Sequence, residues 1–163
     1  MGKDYQAFRL RAGGKKERYR QILKRLKKLS DSHVDWMFAE THTRVFEEVD
    51  CLTCAFCCRY TGPRWTRQDI RRVSSELHMK EGQFESIYLH IDEDGDYVFK
   101  SMPCPFLLAD NKCSIYEVRP KACREYPHSD RKKMKQVFDL TLKNSTCCPA
   151  VEKILDSLSS EIL

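Results

Sequence analysis

The chain has 163 residues, enough for one ordinary domain with a modest core and too few for two independent ones. Its charged fraction of 33% is high beside 41% hydrophobic, which predicts much surface for little core and some stabilising device besides apolar burial. The net charge of +5 is concentrated at one end: residues 1–30 hold eleven Lys and Arg against two acids, a local +9, whereas residues 31–163 carry a local −4.

In chain order, Gly13-Gly14 breaks off the first dozen residues, a loose tail or short helix, from a basic amphipathic helix. That helix runs from Lys15 to Leu29, where Tyr19, Ile22, Leu23, Leu26 and Leu29 recur mostly at steps of three and four. Ser30-Asp31-Ser32 interrupts the pattern, and Ser32 with Asp35 predicts a capping box for a second helix bearing Val34, Met37, Phe38, Val45 and Phe46. Beyond Gly62-Pro63, Thr66 and Asp69 form another capping signal, for a helix with Ile70, Val73 and Leu77. A short helix over 80–89 turns Phe84, Ile87 and Tyr88 inward. Asp94-Gly95 predicts a hairpin between Ile91 and Tyr97-Val98-Phe99, and Asp110-Asn111 a second one. Its arms are Phe106-Leu107-Leu108 and Cys113 to Tyr116. Pro120 opens a short helix with Cys123, and Phe138, Leu140 and Leu142 alternate as a strand would. Pro149 opens a last helix with Val151, Ile154, Leu155, Leu158 and Ile162. The expected class is α+β: a small cysteine-rich, metal-stabilised domain with short β-hairpins, flanked by N-terminal and C-terminal helices. The expected division is a basic tail and helix over 1–30 and a single cysteine-cluster domain over 31–163, with its motif core at about 50–150.

No run approaches the ~18 consecutive apolar residues that span a bilayer, and no apolar leader precedes the first helix, so the expected location is cytoplasmic. In a reducing compartment nine cysteines, an odd number, point to metal rather than disulfides. Two Cys separated by two residues can both turn onto one ion, and thiolate is the ligand that zinc and iron–sulfur clusters select. Cys51-x2-Cys54-x2-Cys57-Cys58 meets that condition twice, with adjacent Cys57 and Cys58 directed to different ions or one of them left as a reactive or buried thiol. The other thiols lie near turns or prolines at Cys104, Cys113, Cys123, Cys147 and Cys148, and Arg59, Arg119, Lys121 and Arg124 are candidates to offset their charge.

Taken in order, Cys51-Leu-Thr-Cys54-Ala-Phe-Cys57-Cys58, Pro103-Cys104-Pro-Phe-Leu107, Cys113-Ser-Ile-Tyr116 through Arg119-Pro120 and Cys123-Arg124 to Pro127, and Cys148-Pro149 resemble the YkgJ-type cysteine-cluster proteins, zinc- or iron-chelating domains. The resemblance covers about residues 50 to 150. It implies that Cys51, Cys54, Cys57, Cys58, Cys104, Cys113, Cys123 and Cys148 are the family's eight cysteines, with Cys147 an extra one and His128 an outside candidate ligand. A similar cluster occurs in flagellin lysine methylases, which implies an iron–sulfur redox or protein-modification role as an alternative.

Eight thiolates would fill two four-cysteine zinc sites, or one [4Fe-4S] cluster with four sulfurs to spare, and zinc is narrowly preferred as a persistent, oxygen-tolerant structural ion. No phosphate-binding glycine loop, His-Glu-x-x-His or Gly-x-Ser-x-Gly is present, and His33, His42, His78 and His90 are scattered, so no reaction follows from motifs. The acidic run Asp92 to Asp96 lacks calcium-loop spacing and reads as a solvated turn. A third alternative is a zinc-stabilised nucleic-acid-binding module that uses Lys24, Arg25, Lys27 and Lys28 against phosphates, with Tyr5, Phe8 and Tyr19 interleaved.

Overall fold

In the computed structural model, which describes residues 3–162, the helices are α1 (Lys3–Gly14), α2 (Lys16–Leu26), α3 (Asp31–Glu48), α4 (Cys51–Cys54), α5 (Phe56–Tyr60), α6 (Arg67–Glu76), α7 (Glu81–Tyr88), α8 (Lys121–Glu125), α9 (Phe138–Asn144) and α10 (Pro149–Ile162). Strands β1 (Leu89–Ile91) and β2 (Tyr97–Phe99) form one antiparallel pair with His90 opposite Val98, and 3-10 turns lie at Tyr116–Val118 and Met134–Val137. The chain is mostly helical, with this two-stranded sheet as its β component. It divides into two compact units, a terminal one built from both chain ends (up to Asp50 and from Pro127 onward) and a central one, Cys51–Tyr126.

In the terminal unit, α10 packs against α3 and α2. Tyr19, Ile22, Leu23 and Leu26 of α2, Val34, Met37, Phe38 and Val45 of α3, and Val151, Ile154, Leu155 and Leu158 of α10 are buried, so most of each predicted apolar stripe is spent on this core, whereas Leu29 lies past the end of α2 and is exposed and Phe46 and Ile162 are half-buried. Tyr5 and Phe8 of α1 are buried as well. Glu152 of α10 is held at 3.1 and 2.8 Å by Arg11 and at 3.1 Å by Lys15, while Asp156 accepts from Lys15 and from the Tyr19 hydroxyl. Burial, followed by the Asp156 hydrogen bond, keeps the Tyr19 phenol protonated well above its ordinary range.

The central unit is organised around Trp65, Ile70, Val73, Phe84, Leu89, Phe99, Phe106 and Ile115, with Cys104 and Cys113 packed against that cluster. The Thr66–Asp69 capping box forms as expected. At the hairpin, Gly95 sits at φ +81, which the turn requires of glycine.

Four expectations are corrected. Residues 138–144 are helix α9 and not a strand, because Phe138, Thr141 and Asn144 are buried at three-residue spacing while Leu140 lies toward solvent. The α3 cap is Ser30, which accepts from the His33 N–H; Asp35 instead caps the Met134–Val137 turn from a distance of a hundred residues. The second hairpin reduces to a single bridge, Leu107 to Cys113, since Asn111 bends the chain sharply at φ +68. Ile87 is 50% exposed, because α7 buries only Phe84.

Candidate metal centre

Cys51 and Cys54 lie at the two ends of α4, and Cys57 and Cys58 lie in α5. Between the two short helices stands Ala55, buried and left-handed at φ 49, a conformation that costs a residue with a Cβ roughly 1–2 kcal/mol. It closes α4 through its N–H to the Cys51 carbonyl and opens α5 by accepting from the Arg59 N–H. Gly62, at φ +65, ends α5 with its N–H on the Cys57 carbonyl, and an added Cβ there would press on the Met102 sulfur at 3.1 Å. Strain concentrated at a motif in this way is characteristic of functional loops.

Backbone hydrogen bonds bring later cysteines to this corner. The Cys104 N–H donates to the Cys58 carbonyl at 2.7 Å, the Leu107 N–H donates to the Cys104 carbonyl, and Leu107 bridges to Cys113. Cys123 is carried by α8, whose start is fixed by the Lys121 N–H on Asp69 at 3.0 Å. Arg72, bonded to the same carboxylate at 2.6 Å, also donates to the Val118 and Arg119 carbonyls. Asp69 is 1% exposed, and although burial would raise its pKa, the Thr66 hydroxyl, Arg72 and the Lys121 N–H outweigh that and hold it below the usual carboxylate range. Thus α6, which bears no cysteine, positions one.

Cys58, Cys104, Cys113 and Cys123 are near enough to one another that, in all six pairings, an ionised thiolate at one would oppose ionisation of the other. Burial, and then these neighbours, push Cys104 and Cys123 up to about 12, and burial also raises Cys113. Cys54 is raised by burial and by Cys58. Cys58 is the exception, lowered to about 7 by its contact with Cys57 at 3.9 Å and by Arg59, against the effect of burial. The four thiols converge without closing on one another, and no group of three or more His, Cys, Asp and Glu among the described residues is drawn up at ligating distance. The donor set nevertheless fits zinc or an iron–sulfur cluster: four sulfurs, three of which burial holds in the thiol form, a cost that a bound cation would offset.

Among the cations considered from sequence, Arg59 and Arg119 favour the thiolates, whereas Lys121 pairs with Glu125 at 3.6 Å. Asn111, read from sequence only as a turn residue, bonds both the Thr53 carbonyl and Arg59, and so ties the Leu107–Cys113 loop to α4 and α5. Nothing local foretold that role. Cys148 belongs to the terminal unit, buried before α10, and Cys147 directs its thiol to the Lys143 and Asn144 carbonyls. His128, also in the terminal unit, is left-handed at φ 63. His42, on α3, is half-buried, stacked on Phe46 and bonded to the Ser129 hydroxyl at 2.8 Å.

Among known proteins, uncharacterized protein MJ0661 of Methanocaldococcus jannaschii is 30% identical over 82 residues, 48% of this chain and 44% of that protein, so the chain spans under half the length of that relative. No solved structure matches. No described helix is long and apolar enough to cross a membrane. A family model matches residues 50–151, well over half the chain and the whole run from Cys51 to Cys148; the chain belongs to the CxxCxxCC family, "Putative zinc- or iron-chelating domain".

Proposed function

We propose that the protein binds its metal through a four-thiolate centre of Cys58, Cys104, Cys113 and Cys123, with Cys51, Cys54 and Cys57 as further donors of the same motif and Cys148 as the eighth family cysteine. The convergence of those four thiols in one unit supports the reading. The metal's first role is structural. Helices α4, α5 and α8, which carry five of the cysteines, bury no residue of their own, so apolar packing cannot fix them and metal ligation can. When bound, the metal supplies the positive charge that lets buried thiols ionise. The chain's own part is to gather the sulfurs through Asp69, Arg72 and Asn111 and to share the charge through Arg59 and Arg119.

Zinc is the preferred occupant because a closed four-cysteine site needs no redox partner and resists oxygen, and the expected compartment is the reducing cytoplasm. The second reading is an iron–sulfur cluster serving a redox or modification reaction, favoured by the half-exposed sulfurs of the motif. Elemental analysis of protein purified without oxygen, with its visible spectrum, separates them. Zinc in a colourless protein supports the first reading, and iron with broad visible absorbance supports the second. Absence of stoichiometric metal in both aerobic and anaerobic preparations would refute chelation.

A further inference from the structure

We propose that the α2–α3 corner of the terminal unit, completed by residues 131–135, is a binding surface for single-stranded nucleic acid. Exposed Lys24, Arg25, Lys27 and Lys28 gather at the end of α2. A second basic run, Arg131-Lys132-Lys133, is also exposed and lies about a hundred residues away in sequence. The fold joins them. Lys135 bonds the Leu29 carbonyl at 2.5 Å and Asp31 at 2.8 Å, and Asp35 accepts from the Lys133 and Met134 N–H groups at 2.7 and 2.8 Å. Lys133 is held left-handed at φ 60, a strained conformation for lysine that the two Asp35 bonds maintain. Two acids of this corner are thereby committed, Asp31 to Lys135 and Asp35 to backbone, while Asp130, beside Arg131, keeps its side chain 59% exposed.

Beside Asp35 in the chain stands Trp36, 59% exposed and stacked on His33 with ring planes within 18°. Tyr5, Phe8 and Tyr19, the aromatics that sequence alone interleaves with the basic residues, are buried in the core and offer no stacking face. An exposed, nearly parallel aromatic pair beside seven lysines and arginines is suited to an unpaired base between phosphates. A duplex hides its base faces and would use only the charge. A lipid surface would use the charge together with a broad apolar face, whereas the ring pair is joined here by Leu29, 38% exposed, and by no broad apolar face.

The test uses the full chain, a single-stranded oligouridylate of about a dozen nucleotides, its duplex counterpart, and vesicles of equal parts phosphatidylcholine and phosphatidylserine, at about 50 mM salt. Trp36 reports directly, because the other tryptophan, Trp65, is buried in the central unit. Expected are quenching of tryptophan emission by the single strand and weaker binding of the duplex. By anisotropy of a dye-labelled oligouridylate, Trp36→Ala is expected to lose about tenfold in affinity, and Lys27→Gln with Lys132→Gln to flatten the salt dependence by roughly 1.4 in log–log slope. All three side chains are exposed, so the variants should fold, and unchanged circular dichroism checks this. Three results overturn the proposal: no oligonucleotide binding, binding that Trp36→Ala leaves unaltered, or vesicle binding that the oligonucleotide fails to compete.

Discussion

Helix α10 alone buries Ala150, Val151, Ile154, Leu155 and Leu158, whereas α4, α5 and α8 of the central unit bury nothing. The terminal unit is held as helical proteins ordinarily are, by stripes of aliphatic side chains at 3.6-residue spacing. The central unit has one aromatic cluster and, around it, segments too short to be stable by themselves. Its cysteines sit on those segments. On the proposed reading, removal of an inorganic staple should be felt in one unit and far less in the other.

The largest expected effect breaks the comparison if it fails. Chelation of the metal, or Cys58→Ser together with Cys123→Ser, should unfold the central unit while α2, α3 and α10 keep their helicity, since structural metal sites contribute on the order of 10 kcal/mol to small domains. Limited proteolysis with mass mapping reads this directly: new cuts should concentrate within Cys51–Tyr126. Cuts spread evenly into α10 would end the distinction.

Next, Asp69→Ala should cost about 3 kcal/mol, because it strips a buried carboxylate from Arg72 and from the Lys121 N–H. Urea unfolding followed by Trp65 emission measures that cost in the central unit. Metal content should fall with it, which a mere capping role would not produce; Thr66→Ala, which loses chiefly the cap, should cost only about 1 kcal/mol and leave metal content unchanged.

In the terminal unit Glu152→Ala should cost about 2 kcal/mol by freeing Arg11 from α10 and leaving Lys15 held there by Asp156 alone, with no change in metal content. A smaller effect there depends on pH. Burial lowers the His42 pKa below its ordinary 6.5, with Asp130 at 3.9 Å opposing. The unfolded chain therefore binds the proton more readily, so this contribution is full above pH 6.5 and is lost as pH falls toward the folded value. Thermal melts from pH 7.5 down to pH 5 should show a decline in terminal-unit stability that His42→Asn flattens. A decline of equal slope in that variant would assign the pH dependence elsewhere.

The smallest effect sharpens the picture of the central core. The indole N–H of Trp65 is buried with no hydrogen-bond partner. Trp65→Phe removes that orphan donor but leaves a void against Phe84 and Phe99, so the two effects should offset to within about 1 kcal/mol. Urea midpoints by circular dichroism measure the balance.

Much of this architecture can be read in the residues themselves. The stripes of α2, α3 and α10, the Thr66–Asp69 box and the Asp94-Gly95 hairpin depend on neighbours within a few positions, and each forms where expected. Residues 138–144 misled because Phe138, Leu140 and Leu142 alternate like a strand, while packing of Phe138 on Phe38 and burial of Thr141 and Asn144 select a helix. The motif likewise shows that Cys51 through Cys58 are ligand-like. It does not show that Cys58 converges with Cys104, Cys113 and Cys123, because that rests on Asp69 reaching Lys121 and on a Cys104–Cys58 backbone bond.

The sequence by itself determined the elements and the chemistry of the thiols, since propensity, capping and ligand type are local properties. Only the tertiary structure decided which thiols share a corner and that Arg131-Lys132-Lys133 stands beside the end of α2. Those groupings depend on hydrogen bonds between residues fifty to a hundred positions apart, which no local spacing encodes.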